Sequence, residues 1–87
     1  MNSSVRVEIF EEDDVYVALS PDLNVSSFGD TIDEAKESIK EAIEAFLEEY
    51  HEMGTLDEVL EESGFLRTED TWKSREPIAQ ENLALAV

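Results

Sequence analysis

From Val5 to Glu11 apolar and polar positions alternate, with Val5, Val7 and Ile9 on one side and Arg6 and Glu8 on the other. That two-residue period is the signature of a half-buried strand. The polar run Glu11-Glu12-Asp13-Asp14 separates it from a second alternating run, Val15, Val17 and Leu19 against Tyr16 and Ala18. The pair reads as an antiparallel hairpin turning at the acidic residues. Ser20-Pro21-Asp22 breaks the pattern, because Pro21 lacks an amide donor and Asp22 favours turns, so a short third strand is expected around Asn24 to Phe28, closed by Gly29-Asp30.

The period then changes. Thr31-Ile32-Asp33-Glu34 is a capping box, in which the Thr31 hydroxyl accepts from the Glu34 amide and the Glu34 carboxylate reaches back to the amide of Thr31. Ile32, Ala35, Ile39, Ala42, Ile43, Phe46, Leu47, Tyr50 and Met53 follow at three- and four-residue steps, one broad apolar face ending at Gly54. Thr55-Leu56-Asp57-Glu58 repeats the capping signature for a short helix through Leu60 that stops at Gly64. Beyond it, Phe65-Leu66-Arg67 and the surroundings of Trp72 read as two short strands about a Glu69-Asp70 turn. The run Leu83-Ala84-Leu85-Ala86-Val87 is apolar with no assignable period.

The expected fold is therefore α+β: a three-stranded antiparallel sheet covered on one face by a long helix, with a short second helix and a small C-terminal β element. Residues 1–65 form the expected domain. Residues 66–87 are expected as an extension that ends in a tail docking on a partner or a sister chain.

Composition narrows the function. Six Lys and Arg face 23 Asp and Glu among 87 residues, a net charge of −17. Phosphate backbones are held chiefly by Lys and Arg, so direct binding to DNA or RNA is not expected, whereas imitation of a nucleic acid is compatible with the charge. No cysteine is present and His51 is the single histidine, which removes thiolate chemistry and metal sites needing two imidazoles. No apolar run reaches the roughly 18 residues of a membrane span and no secretion signal is visible, so a cytoplasmic protein is expected, without membrane contact. No cofactor is expected.

Tyr16-Val17-Ala18-Leu19-Ser20-Pro21-Asp22-Leu23, followed by Gly29-Asp30-Thr31-Ile32-Asp33-Glu34-Ala35 and by Ala42-Ile43, resembles the motif of HicB-like antitoxins: an aromatic strand, a Pro-acidic-Leu turn and a Gly-Asp-Thr-x-x-Glu-Ala helix start. The resemblance covers about Val5 to Gly54 and, more loosely, the second helix to Phe65. It implies a partial ribonuclease-H-like β-β-β-α-β domain without nuclease activity. It also implies a partner, a small basic ribonuclease toxin of the HicA type, whose catalytic histidine the antitoxin covers. Two departures stand out: Asn24-Val25 occupies positions where the family often has Pro-Gly, and the chain beyond Phe65 is too short and too acidic for the DNA-binding domain that many members carry.

Projected at 100° per residue, Glu37, Glu41, Glu44, Glu48 and Glu52 form one stripe almost opposite the apolar face of the long helix. Repulsion at three- and four-residue spacing costs about 0.2–0.5 kcal/mol per pair. The plain reading is a solvated face, as in a salt-adapted proteome; the functional one is electrostatic capture of a basic partner. Trp72 reads either as an anchor of the small β element or as an interface residue, and Leu83, Leu85 and Val87 as apolar contacts made by strand addition or in a homodimer or higher oligomer. Asp13, Asp14, Asp22 and Asp30 at strand ends leave a metal-dependent phosphoesterase as the enzymatic alternative. The strand interiors offer only Glu8 as an acid, so the expectation is a protein without catalytic activity. A homo-oligomeric interaction scaffold is the third reading.

Overall fold

The computed structural model describes residues 2–86. Strand β1 (Asn2–Ser4) leads through residues 5–7 into β2 (Glu8–Glu12), which turns at Asp13-Asp14 into β3 (Val15–Ser20). After a turn at Pro21 to Asn24 come β4 (Val25–Gly29), helix α1 (Ile32–Met53) and helix α2 (Leu56–Glu62). A small hairpin of β5 (Leu66–Thr68) and β6 (Thr71–Lys73) completes the regular structure. The class is α+β, as expected, but the strands form two three-stranded sheets, in the orders β2-β3-β4 and β1-β6-β5.

The hairpin β2-β3 and the pair β3-β4 are antiparallel, with Ile9 opposite Ala18 and Ala18 opposite Ser27. Asp13 and Asn24 adopt left-handed backbone, φ 53° and 56°, in the two turns that flank β3. Short polar side chains tolerate that region, which is why Asn24 belongs to the turn and β4 starts one residue later than its pattern suggests.

Thr31 caps α1 with extended backbone, its hydroxyl accepting from the Glu34 amide at 3.0 Å. The reciprocal bond differs from the expected box. The Glu34 carboxylate accepts from the amide of Asp30, at 2.9 Å, one residue before the cap. Gly54 ends the helix at φ 76°, donating to the carbonyls of His51 and Tyr50. The second expected box does not form: the Thr55 side chain makes no capping bond, because its amide donates back to Tyr50 and its ψ of 11° turns the hydroxyl away from the next helix. Its Oγ1 is instead buried without a partner.

One face of β2-β3-β4 packs against α1. The core comprises Ala18, Leu23, Ala35, Ile39 and Ile43, continued by Leu56, Leu60, Phe65 and Trp72 beneath the second sheet, with Val5, Val7, Ile9, Tyr16 and Val25 packed on it. At 22 residues α1 runs about 33 Å, roughly twice the length of a five-residue strand, so its terminal apolar residues Ile32 and Met53 overhang and stay exposed. Gly29 sets the closeness of the two layers. A Cβ there would lie 2.5 Å from the Ala35 amide nitrogen and 2.7 Å from the Glu34 Cβ.

Residues 66–73 are not a separable extension. β6 lies parallel to β1, with Ser3 opposite Trp72, and the pairing is prolonged by Ser74, whose amide donates to the Ser4 carbonyl and whose hydroxyl accepts from the Arg6 amide. The first strand is thus divided between the two sheets. At the division sits Asp22, its side chain only 4 % exposed, with Arg6 Nη2 at 3.5 Å and Arg75 Nε at 3.9 Å from its Oδ1. Arg6 Nη1 also donates to the Arg75 carbonyl.

Three outcomes are expected. Gly29→Ala should lower stability to urea by about 1–3 kcal/mol, because backbone rather than a flexible side chain must give way. Asp22→Asn should cost about 1–3 kcal/mol, below the value for a fully buried pair since both arginines are partly solvated, and should speed hydrogen exchange at the amides of β6. Glu11 stands directly opposite Tyr16 and raises the phenol above its ordinary pKa of 10.0, first by hydrogen bonding to the neutral form, then by repelling the phenolate, with burial adding least. That contribution is complete below the unfolded pKa and is lost as pH rises through the higher folded value. Phenolate absorbance should therefore show Tyr16 titrating at lower pH in Glu11→Ala.

Candidate functional site

The capping residues Thr31 and Glu34 fix where α1 begins, and Ala35, Ile39 and Ile43 fix which side it buries. The opposite side follows from the helical repeat. Glu37, Glu41, Glu44, Glu48 and Glu52 are all exposed, within about 80° of the helix circumference, so the structure places the five acids of the stripe together on the outward surface. The basic residues nearest to them in the helix, Lys36 and Lys40, lie on its flank beside an open groove of about 410 Å³ lined also by Val5, Val7 and Leu47. The rest of the sequence motif serves the fold: Tyr16, Leu23, Gly29 and Ala35 lie in or against the core, and Pro21 stands exposed in the turn that presents Asp22 to its arginines.

Of the two readings of Trp72 the structure favours the anchor: the residue is only 5 % exposed, belongs to one buried cluster with Leu56, Leu60 and Phe65, and has the Arg67 guanidinium 5.6 Å from its ring centroid. Leu83 and Leu85 are exposed on a segment without regular structure, as is Ile78, so these side chains are free for contact. Val87 lies outside the described residues. His51 is exposed in the last turn of α1.

The strand-end carboxylates do not come together. Asp13 and Asp14 sit on the hairpin turn, Asp22 is held by two arginines, and Asp30 lies beside the helix cap. Among the described residues no three His, Cys, Asp or Glu side chains are placed to share a metal ion.

A second surface escaped the sequence reading. Phe10 pairs with Val17, and Val17 with Phe28, so these three side chains form a row on the face of β2-β3-β4 that α1 does not cover. Phe10 is 51 % and Phe28 68 % exposed. Val15 and Leu19 extend the patch along β3, Ser26 lies beside Leu19, and Glu8 and Glu12 occupy its β2 border. The signal for it was register: a turn centred on Asp13-Asp14 puts Phe10 opposite Val17 and out of phase with Ile9 and Ala18.

No helix among the described residues is long and apolar enough to cross a membrane. Comparison with known proteins returns no matching family model, no matching curated protein and no matching solved structure.

Proposed function

We propose that this chain is an antitoxin-like binding module that neutralises a small basic ribonuclease of the HicA type by covering its RNA-binding surface and active site. The observation that carries the reading is the exposed stripe of Glu37, Glu41, Glu44, Glu48 and Glu52 on the outward surface of α1. A row of carboxylates with a repeat near 5.4 Å offers a basic RNA-binding surface the charges it is built to meet. The stripe has no evident role in folding. Its like-charged neighbours each cost the helix about 0.2–0.5 kcal/mol.

Topology supports the same reading. Taken as one bent strand, residues 2–12 run antiparallel to β3 and, after the two helices and β5, parallel to β6, an order compatible with the β-β-β-α-β unit that the resemblance implies. The resemblance of Tyr16 to Ala35 to HicB-like antitoxins adds the identity of the partner class. In this reading the complex needs no chemistry from the chain itself. Encounter is accelerated by opposite charge, by about 10- to 1000-fold at low salt, and apolar residues hold the complex once formed.

Co-expression with the small basic HicA-type reading frame that the proposal places beside this gene, followed by an assay of total RNA cleavage, is the direct test. The expected outcome is a stable complex and suppressed cleavage; undiminished cleavage, or no complex, defeats the proposal. In the same assay, replacing all five stripe glutamates by Gln should slow association by at least about 10-fold at low salt and flatten its salt dependence. The same variant, freed of like-charge repulsion, should melt higher than the parent at low salt.

A further inference from the structure

The strands β2, β3 and β4 carry no Lys or Arg. Their uncovered face is apolar along the middle and acidic at its border. Phe10 on β2 and Phe28 on β4 stand on either side of Val17, so two large side chains flank the smaller ones of β3 and leave a trough along that strand. An open hollow of about 470 Å³ lies there, lined by Val15, Val17, Ser26, Ser27 and Phe28. Glu8 and Glu12 border it on β2, Asp13 and Asp14 stand at the hairpin end, and Asp30 follows two positions beyond Phe28, all exposed. Among the described residues none of these acids forms an ion pair. We infer that this face is the docking surface for a cationic amphipathic helix of a partner protein, its apolar stripe seated along β3 and its Lys or Arg flanks on the acidic border.

Dimensions select a helix. The outer strands lie about 10 Å apart, two strand spacings, which is the diameter of one α-helix with its side chains. The six residues of β3 span about 20 Å, the length of about 13 helical residues. Such an area is too small for the face of a second globular domain, and it matches one helix of three to four turns. The sheet already packs a helix, α1, on its other face, so a second completes a helix-sheet-helix sandwich.

Charge selects the sign of that helix. Carboxylates around an apolar strip, in a chain of −17, attract a helix with basic flanks and repel an acidic one. A second copy of this chain brings the same acids to the same border and is repelled. Glu8 and Glu12 are about 13 Å apart along β2, close to two helical turns, so cations seven or eight positions apart on the helix flank over β2 face both. The occupant therefore reads as apolar residues at three- and four-residue steps with basic residues beside them. The Glu37 to Glu52 stripe lies on the outer side of α1, with the helix and the sheet between it and this face. The inference thus does not rest on the antitoxin reading, and either surface can fail alone.

Titration of the isolated chain with two synthetic amidated peptides tests the assignment. One has about 14 residues of Leu, Ala and Lys, with Leu at three- and four-residue steps and Lys on both flanks; the other has the same composition in shuffled order. Both carry the same charge, so attraction to the glutamate stripe is common to the two. By calorimetry the amphipathic peptide should bind at least about 10-fold tighter than the shuffled one at about 50 mM salt, and more weakly at about 500 mM. In the wild-type chain it should move the backbone amides of β2, β3 and β4, a readout independent of how any variant folds. Phe10→Thr or Phe28→Thr, which keep strand propensity at exposed positions, should weaken it at least about 10-fold, whereas replacing the five stripe glutamates by Gln should leave the preference for the amphipathic peptide intact. Equal binding of the two peptides, shifts confined to α1, indifference to both Phe substitutions, or loss of the preference with the stripe glutamates would each overturn the assignment.

Discussion

The carboxylate of Asp22 is the joint on which the two sheets depend. Burying a carboxylate costs several kcal/mol unless cations and hydrogen bonds replace its water. With 23 acidic side chains and only six Lys and Arg, this chain cannot pair most of its acids, yet two of its arginines converge on this one. Arg6 comes from the segment that divides the first strand and Arg75 from just beyond β6, so the ion pair links the beginning of the chain to its last regular element. The link stands where β1 leaves the first sheet to pair with β6, and it is incomplete, since Asp22 Oδ2 and Arg6 Nε are buried without a partner. The β5-β6 hairpin can then close over Leu56, Leu60 and Phe65 with Trp72 beneath it.

The same scarcity of cations gives the net charge its layout. Arg6 and Arg75 are committed to the joint, Arg67 lies between Asp57 and the Trp72 ring, and Lys36 and Lys40 flank α1. Lys73 lies on β6. Lys40 stands three and four positions from Glu37 and Glu44, yet among the described residues no cation is within ion-pair distance of the five glutamates, which follow one another at three- and four-residue steps on the outward side of that helix. Their repulsion is a local cost set against burial of the opposite, apolar side, and a small domain can carry it because Ile39 and Ile43 hold the helix down from beneath. The charge is concentrated where it does least harm to the fold and is most visible to an approaching basic surface.

What the sequence made legible was local. The two-residue period of Val15 to Leu19, the three- and four-residue period of α1, the Thr31 cap and the Gly54 stop each depend on neighbours within a few positions, and each element stands close to where its pattern puts it. The glutamate stripe was legible for the same reason, being a property of a single helix. The pairing of β1 with β6 joins residues nearly seventy positions apart, and the Arg6-Asp22-Arg75 contact is equally non-local, so neither leaves a periodic trace. Trp72 illustrates the limit: a lone tryptophan among polar residues fits both an anchor of a small β element and an interface residue, and only its burial in the cluster with Leu56, Leu60 and Phe65 separates the two. Thr55 illustrates another, since its capping signature is intact in sequence and is overridden by the tight reversal out of α1.

The exposed aromatic row stands behind the closely packed face of the sheet. The closest approach of α1 to the sheet is made by small residues, Gly29 from β4 and Ala35 from the helix, while Ile9, Tyr16 and Val25 pack on the core from the same sheet face as Ala18 and Ser20. A Cβ at Gly29 would already collide with the helix backbone, so no large side chain fits along that line. Ile9 of β2 and Val25 of β4 stand on the covered face away from that line, and strand alternation fixes the side of their neighbours. Phe10 and Phe28 must stand on the opposite face, on either side of Val17. Apolar bulk on that face is left exposed, Phe10 and Phe28 more than half so. The absence of a side chain at Gly29 lets the start of α1 approach the sheet closely, and the two-residue period of the strands puts Phe10, Val17 and Phe28 on the face behind it.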